Sequence, residues 1–282
     1  MTRTRSTSEA QSKQNLPGVG SRGITICIDG PRVVKYVLVG AIALEVLFVI
    51  GDIFINRVDL IDINAIERFW NITREDGVAS WFGTTQTWMV GLTALLLYLV
   101  QRRDIGKPKW RRLGWLIVGL VMLYLAMDDG AEFHERVGTT VEEMFGDPES
   151  EAPGIGFFPS YVWQAVFLPL LSAFAVFVLL FVYRELKTRA DRLLVVAALI
   201  LLAVAVAVDF TEGLEIDHAL NVQGYLVRNS GWTQDSLRHY AKSFEEFIEM
   251  LAMTLLWVAL LRHLVRVAPR FGFNLEPDNA RV

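Results

Sequence analysis

Apolar and polar positions divide the chain into six greasy runs separated by charged connections. The runs cover about 33–54, 81–100, 113–127, 162–182, 193–208 and 239–261. A bilayer core about 30 Å thick takes roughly 20 helical residues to cross. Four runs meet that length, but 113–127 and 193–208 stop at about 15 and 16 residues. At 1.5 Å per residue the shorter one reaches only about 22 Å. Completing these two crossings draws Asp128, Asp129 and Glu132, and Asp209 and Glu212, to the edge of the hydrocarbon. The predicted fold is all-α: a polytopic membrane bundle of six transmembrane helices within 33–266. Between the first two spans, Ile61, Ile63, Ile66, Phe69 and Trp70 are spaced like one helix face, which predicts a short amphipathic surface helix. Residues 1–32 and 267–282 read as polar tails, the first disordered and without the apolar stretch of a signal peptide.

Charge orients the bundle. Lys and Arg gather before the first span, at 101–112, at Arg184, Lys187, Arg189 and Arg192, and after the last span. The other connections hold most of the acids, among them Glu142, Glu143, Asp147, Glu149 and Glu151. The positive-inside rule then places both termini in the cytoplasm of a cell membrane crossed several times. Composition agrees: 53% of residues are hydrophobic, and a net charge of −4 gives no basic surplus for nucleic acid. The expected partners are membrane lipids, and a homo-oligomer is compatible with the pattern. A lone cysteine, Cys27, rules out an internal disulfide and any Cys-rich metal site. Asn71-Ile72-Thr73 matches a glycosylation sequon, a pattern common by chance.

This topology collects chemistry at one leaflet. Asp52 ends the first span. Asp128, Asp129, Glu132, His134 and Glu135 end the third, Asp209 and Glu212 the fifth, and His239, Glu245, Glu246 and Glu249 open the sixth. At roughly 100° per residue, Asp128, Glu132 and Glu135 share a narrow arc and His134 points away from them. His239, Glu246 and Glu249 share a face, with Lys242 between. Glu215 and His218 have the Glu-x-x-His spacing of bundle di-metal sites, but a loop position argues against ligation. Crowded carboxylates near hydrocarbon need protons or a cation. A divalent metal fits, and oxygen donors with imidazole suit Zn, Mn or Fe. The candidate ligands are Asp128, Glu132, His134, Glu135, Asp209, Glu212, His239, Glu246 and Glu249, with Asp129 and Glu245 as catalytic acid–base groups. Simple charge pairing with Lys242 and Arg136 is the competing reading.

Other polar and aromatic positions have plainer readings. Glu45, near the middle of the first span, must face the bundle or a watery cavity. His263, among arginines, reads as a surface residue, and Trp81, Trp88, Trp110, Trp115 and Trp163 as interface belts.

Three patterns carry a resemblance: Thr73-Arg74-Glu75-Asp76 through Phe82, Asp128-Asp129 to His134-Glu135, and Glu245-Glu246 to Glu249. With its D-[DE]-x4-H-E and E-E-x-x-E motifs, the chain resembles an uncharacterised group of bacterial multi-span membrane proteins. More distantly it is similar to alkaline ceramidase-type membrane hydrolases, a likeness that implies zinc held by transmembrane acids and histidines, although no C-terminal His-x-x-x-His pair is present here. The leading expectation is a metal-dependent membrane enzyme acting on a lipid or amphiphile at the extracytoplasmic face. A proton- or cation-coupled transporter or channel is the alternative, favoured by Glu45. A structural subunit of a membrane complex is the third.

Overall fold

A computed structural model describes residues 24–27, 29–58, 60–103, 106, 108–146, 154–155, 158–268 and 272–275. Two units are distinct. In the smaller, β1 (Ile24–Cys27) pairs antiparallel with β2 (Gly272–Leu275), Ile24 opposite Leu275. Part of each expected tail is therefore strand. Asp147, Glu149 and Glu151 of the acidic loop lie outside the described residues.

The larger unit is a polytopic membrane helix bundle. Its elements are α1 (Gly30–Asn56), α2 (Asn64–Trp70), α3 (Val78–Arg102), α4 (Lys109–Ala131), α5 (Phe133–Phe145), α6 (Val162–Glu185), α7 (Arg189–Glu212), α8 (Val222–Ser230) and α9 (Gln234–Val267). Six of them, α1, α3, α4, α6, α7 and α9, are long and apolar enough to cross a membrane. Helices are the natural outcome here, since hydrocarbon offers backbone groups no partner outside the segment itself. Side chains set several starts: Asp29 accepts the Arg32 N–H, Thr188 the Asp191 N–H, and Thr233 the Ser236 N–H.

The surface segment between the first two spans is shorter than its apolar spacing suggests. Only the seven residues of α2 are helical. Its Trp70 folds back toward α1, where a Cβ on Gly51 would meet the indole at 2.4 Å. Part of its apolar face is therefore used for packing, Trp70 lying against Gly51 and Phe48.

α9 is the axis of the bundle, packed against α1, α3, α7 and α8. α3 and α4 pack together extensively, and glycine permits it. A Cβ on Gly91 would sit 2.8 Å from the Leu123 side chain, and one on Gly119 would sit 2.6 Å from Leu95. Small residues at such crossings let backbones approach in lipid.

The basic end is pinned by ions and rings. Arg111 Nε lies 2.5 Å from Glu185, and fully buried Asp191 takes Arg262 at 2.6 Å together with Arg266. Two sequence expectations fail at this end. His263 is buried, stacked on Trp115 with ring centroids 5.4 Å apart, so it is no surface residue. Trp115 has no exposed surface and packs edge-on against Phe181, so it belongs to the core and not to an interface belt. Long α9 carries His263 inside the packed layer, where an aromatic ring covers it. Trp81 and Trp110 do face outward.

Candidate functional site

At the opposite end, α3, α4, α6, α7 and α9 surround a cavity of about 700 Å³. Its body is apolar, walled by Leu125, Leu168, Leu171, Phe174, Leu202 and Val206. Its head is acidic, lined by Glu75, Asp128, Asp129, Glu132, Glu135, Asp209, Glu245, Glu246 and Glu249. His134 and Lys242 are the basic side chains lining it. Four short lengths of helix and a turn thus converge on one space.

The α4–α5 junction shapes the head. Helix α4 stops at Ala131 because Glu132 adopts a left-handed conformation, φ 52° and ψ 34°. That turn corrects the helical-wheel expectation for His134. A continuous helix would aim the ring away from Asp128, whereas the break swings it back. Asp128 Oδ1 accepts the His134 backbone N–H at 3.0 Å, and Oδ2 lies 2.8 Å from Nδ1. The ring packs edge-on against Trp163, centroids 4.8 Å apart. A carboxylate on Nδ1 favours the tautomer that leaves the Nε2 lone pair available. His134 Nε2 lies 4.0 Å from Glu135 Oε1.

A left-handed conformation costs a side-chain-bearing residue about 1–2 kcal/mol, and glycine is exempt. Glu132→Gly is therefore expected to match or exceed wild-type stability by up to about 1 kcal/mol, since lost chain entropy offsets part of the gain. Glu132→Val, β-branched, is expected to cost about 1–2 kcal/mol. Thermal unfolding of the two variants checks this, and equal melting temperatures would refute it.

The remaining acids are tied down individually. Asp129 accepts a hydrogen bond from the Thr84 hydroxyl at 2.5 Å, and Asp209 accepts one from Gln164 Nε2 at 2.8 Å. Lys242 Nζ sits 2.9 Å from Glu245 and 3.7 Å from Glu246. Glu249 and Glu246 are half-buried on the same wall.

Other expected members point elsewhere. Glu212 pairs with Arg238 at 2.9 Å, and Glu132, although on the lining, pairs with Arg136 at 3.4 Å. His239 Nε2 contacts Asp52 Oδ2 at 2.7 Å, an oxygen that also accepts from Ser243 at 3.2 Å. That pair joins α1 to α9 outside the cavity lining. His218 Nδ1 accepts the Leu220 N–H, which uses it locally. Among the described residues, no three His, Cys, Asp or Glu side chains are grouped to hold a metal ion.

One acidic lining residue escaped sequence reasoning, and Trp163, expected in an interface belt, also lines the cavity. Glu75 lies in the turn before α3, where neighbouring Asp76 grips Arg68 at 2.5 Å and Arg74 at 2.7 Å. Those guanidiniums hold the Asp76 carboxyl well below its usual range. Glu75 is left to face the cavity mouth without a salt bridge among the described residues. Loss of water pushes its carboxyl up from 4.5 to about 7, reinforced by Glu135, Asp129 and Glu132 and opposed by Lys242. The only sequence signal was its place in the Thr73–Phe82 pattern.

A raised carboxyl favours the folded state while protonated. That contribution is whole below about pH 4.5 and gone once pH passes about 7. Stability is expected to fall across that window, damped because Glu75 keeps an exposed side. Glu75→Gln should flatten that part of the stability–pH curve. A variant curve parallel to the wild-type one would remove Glu75 from the account.

Against known families, the model described as a domain of unknown function (DUF8692) matches residues 37–264, from α1 to the last turns of α9. The chain belongs to that family. The match brings no activity with it and no link to ceramidases. No curated protein matches the chain, and no solved structure does.

Proposed function

We propose that this DUF8692 member is a membrane enzyme that draws an amphiphile into the cavity from the extracytoplasmic leaflet and acts on its head group. The observation that supports the reading is the two-part lining: one end carries carboxylates, the other branched and aromatic hydrocarbon. About 700 Å³ suits a drug-sized ligand or part of a lipid, within the common range of roughly 300–1,000 Å³. The apolar chain rests against Leu168, Leu171 and Leu202, and the head meets Asp129, Glu246 and Glu249. Carboxylates outnumber Lys242 and His134, so the head group is cationic or arrives with a cation. His134, oriented by Asp128, is the proton acceptor.

The divalent metal belongs to this reading as a separate arm. The donor chemistry suits Zn, Mn or Fe, but the side chains would have to regroup to bind one. Metal analysis of gently purified protein, with and without a joint Glu246→Ala, Glu249→Ala replacement, decides that arm. Stoichiometric metal lost in the variant makes the enzyme metal-dependent.

The amphiphile arm is tested by native mass spectrometry of detergent-purified protein. One copurifying amphiphile per chain is expected. Leu171→Trp should expel it by filling the apolar body, and a joint Glu246→Gln, Glu249→Gln replacement should weaken its retention. Only a non-specific lipid background, equal in all three proteins, would end the proposal.

A further inference from the structure

Below the cavity, at the middle of the bundle, the structure assigns a second site: a small monovalent cation held between α1, α3 and α9 by Glu45, Gln86 and Thr254. Glu45 has no exposed surface, Gln86 has 2% and Thr254 none. Gln86 Nε2 donates to Glu45 Oε1 at 2.8 Å and to Thr254 Oγ1 at 2.6 Å. The Thr254 hydroxyl donates to the same Glu45 oxygen at 2.6 Å. Both donors therefore serve one oxygen of the Glu45 carboxyl group and leave the other bare.

What remains is a surplus of acceptors. Glu45 Oε2 and Gln86 Oε1 are buried and have no hydrogen-bond partner. Polar atoms left unmet in an apolar interior are costly, because hydrocarbon offers them no partner. None of the salt bridges among the described residues reaches Glu45. Two bare oxygens, one of them on a carboxyl group that no salt bridge reaches, describe what a single positive charge satisfies. One carboxylate balances a monovalent ion, and a divalent ion would leave a net charge in the membrane. Hard oxygen donors suit an alkali ion of sodium size.

The cavity wall is one residue away on two helices. Thr87, beside Gln86, and Met253, beside Thr254, both line the cavity. Thr254 lies five residues beyond Glu249 on α9, about 7.5 Å of rise. Toward the basic end, Trp257 Nε1 donates to Thr93 Oγ1 at 3.1 Å and closes the α3–α9 seam. The inference is independent of the amphiphile reading, because the ion is read with no amphiphile added.

The test uses the full chain in lipid nanodiscs at constant ionic strength. Melting temperature is followed as choline chloride is replaced by lithium, sodium or potassium chloride, and equilibrium binding of radioactive sodium counts the sites. One alkali ion is expected to bind saturably at one site per chain and to raise the melting temperature with concentration. Glu45→Gln should abolish the response, and Thr254→Val should weaken the affinity about tenfold, the loss of one charge-assisted bond. If Glu45→Gln fails to fold, wild-type stoichiometry and Thr254→Val still decide. Wild-type melting that is indifferent to all three ions overturns the site. So does an infrared carboxyl band, assigned to Glu45, that stays protonated in every salt, because Glu45 is then a neutral strut.

Discussion

Lys242→Met is expected to cost about 3–5 kcal/mol of folding stability, the usual penalty for removing one partner from a buried set of charges. Lys242 is 24% exposed, Glu245 only 5%, and the ammonium lies within bonding distance of that carboxylate and near Glu246. Asp209 and Glu249 also act on it through space. Glu75, Asp129, Asp209, Glu246 and Glu249 also lose a nearby counter-charge when Lys242 goes. Equilibrium unfolding in detergent micelles measures the loss. A charge-matched double variant, Lys242→Met with Glu245→Gln, should recover a substantial part of it, since the pair then leaves together. If the double variant is as unstable as the single one, the loss does not come from the bared Glu245 carboxylate.

This lysine also marks how far the sequence could be read. The six spans were legible because hydropathy over about 20 residues is a property of the segment alone. The acidic end was legible for the same reason: two runs too short to cross had to end in Asp128–Asp129 and Asp209. Which acids meet was not legible, because that depends on the order of helices. Glu246, Glu249, Asp129 and Asp209 come together, whereas Asp52 and His239, expected in the same group, form their own pair.

Local geometry hid two further features. The wheel that turned His134 away assumed a continuous helix, and a single left-handed residue, Glu132, undoes that assumption. Nothing in the residue type announces it, since glutamate rarely adopts that conformation. Glu75 was hidden by its setting: in a charged turn it looks like surface, and only the fold brings the turn over the cavity. His263 failed for the opposite reason. Its arginine neighbours suggested solvent, but a 34-residue α9 packed on four helices carries it inside beside Trp115.

Asp128→Asn is expected to lower turnover of the copurifying amphiphile by about 10²–10⁴-fold, the range for losing a positioned base. The amide oxygen still accepts the His134 backbone N–H, so the α4–α5 turn should survive. Its nitrogen then faces Nδ1 and can only donate to it, which drives the imidazole proton to Nε2 and removes the acceptor from the cavity. His134→Ala should lose at least as much turnover. Both variants should retain the amphiphile, because its chain is held by Leu168, Leu171 and Leu202 and its head by acids that neither change touches. Retention without turnover is the signature of this role. Wild-type turnover in Asp128→Asn would show that the pair only fastens α5 to α4, and the base would then be sought at Asp129, which stands on the same cavity wall with Thr84 as its hydrogen-bond donor.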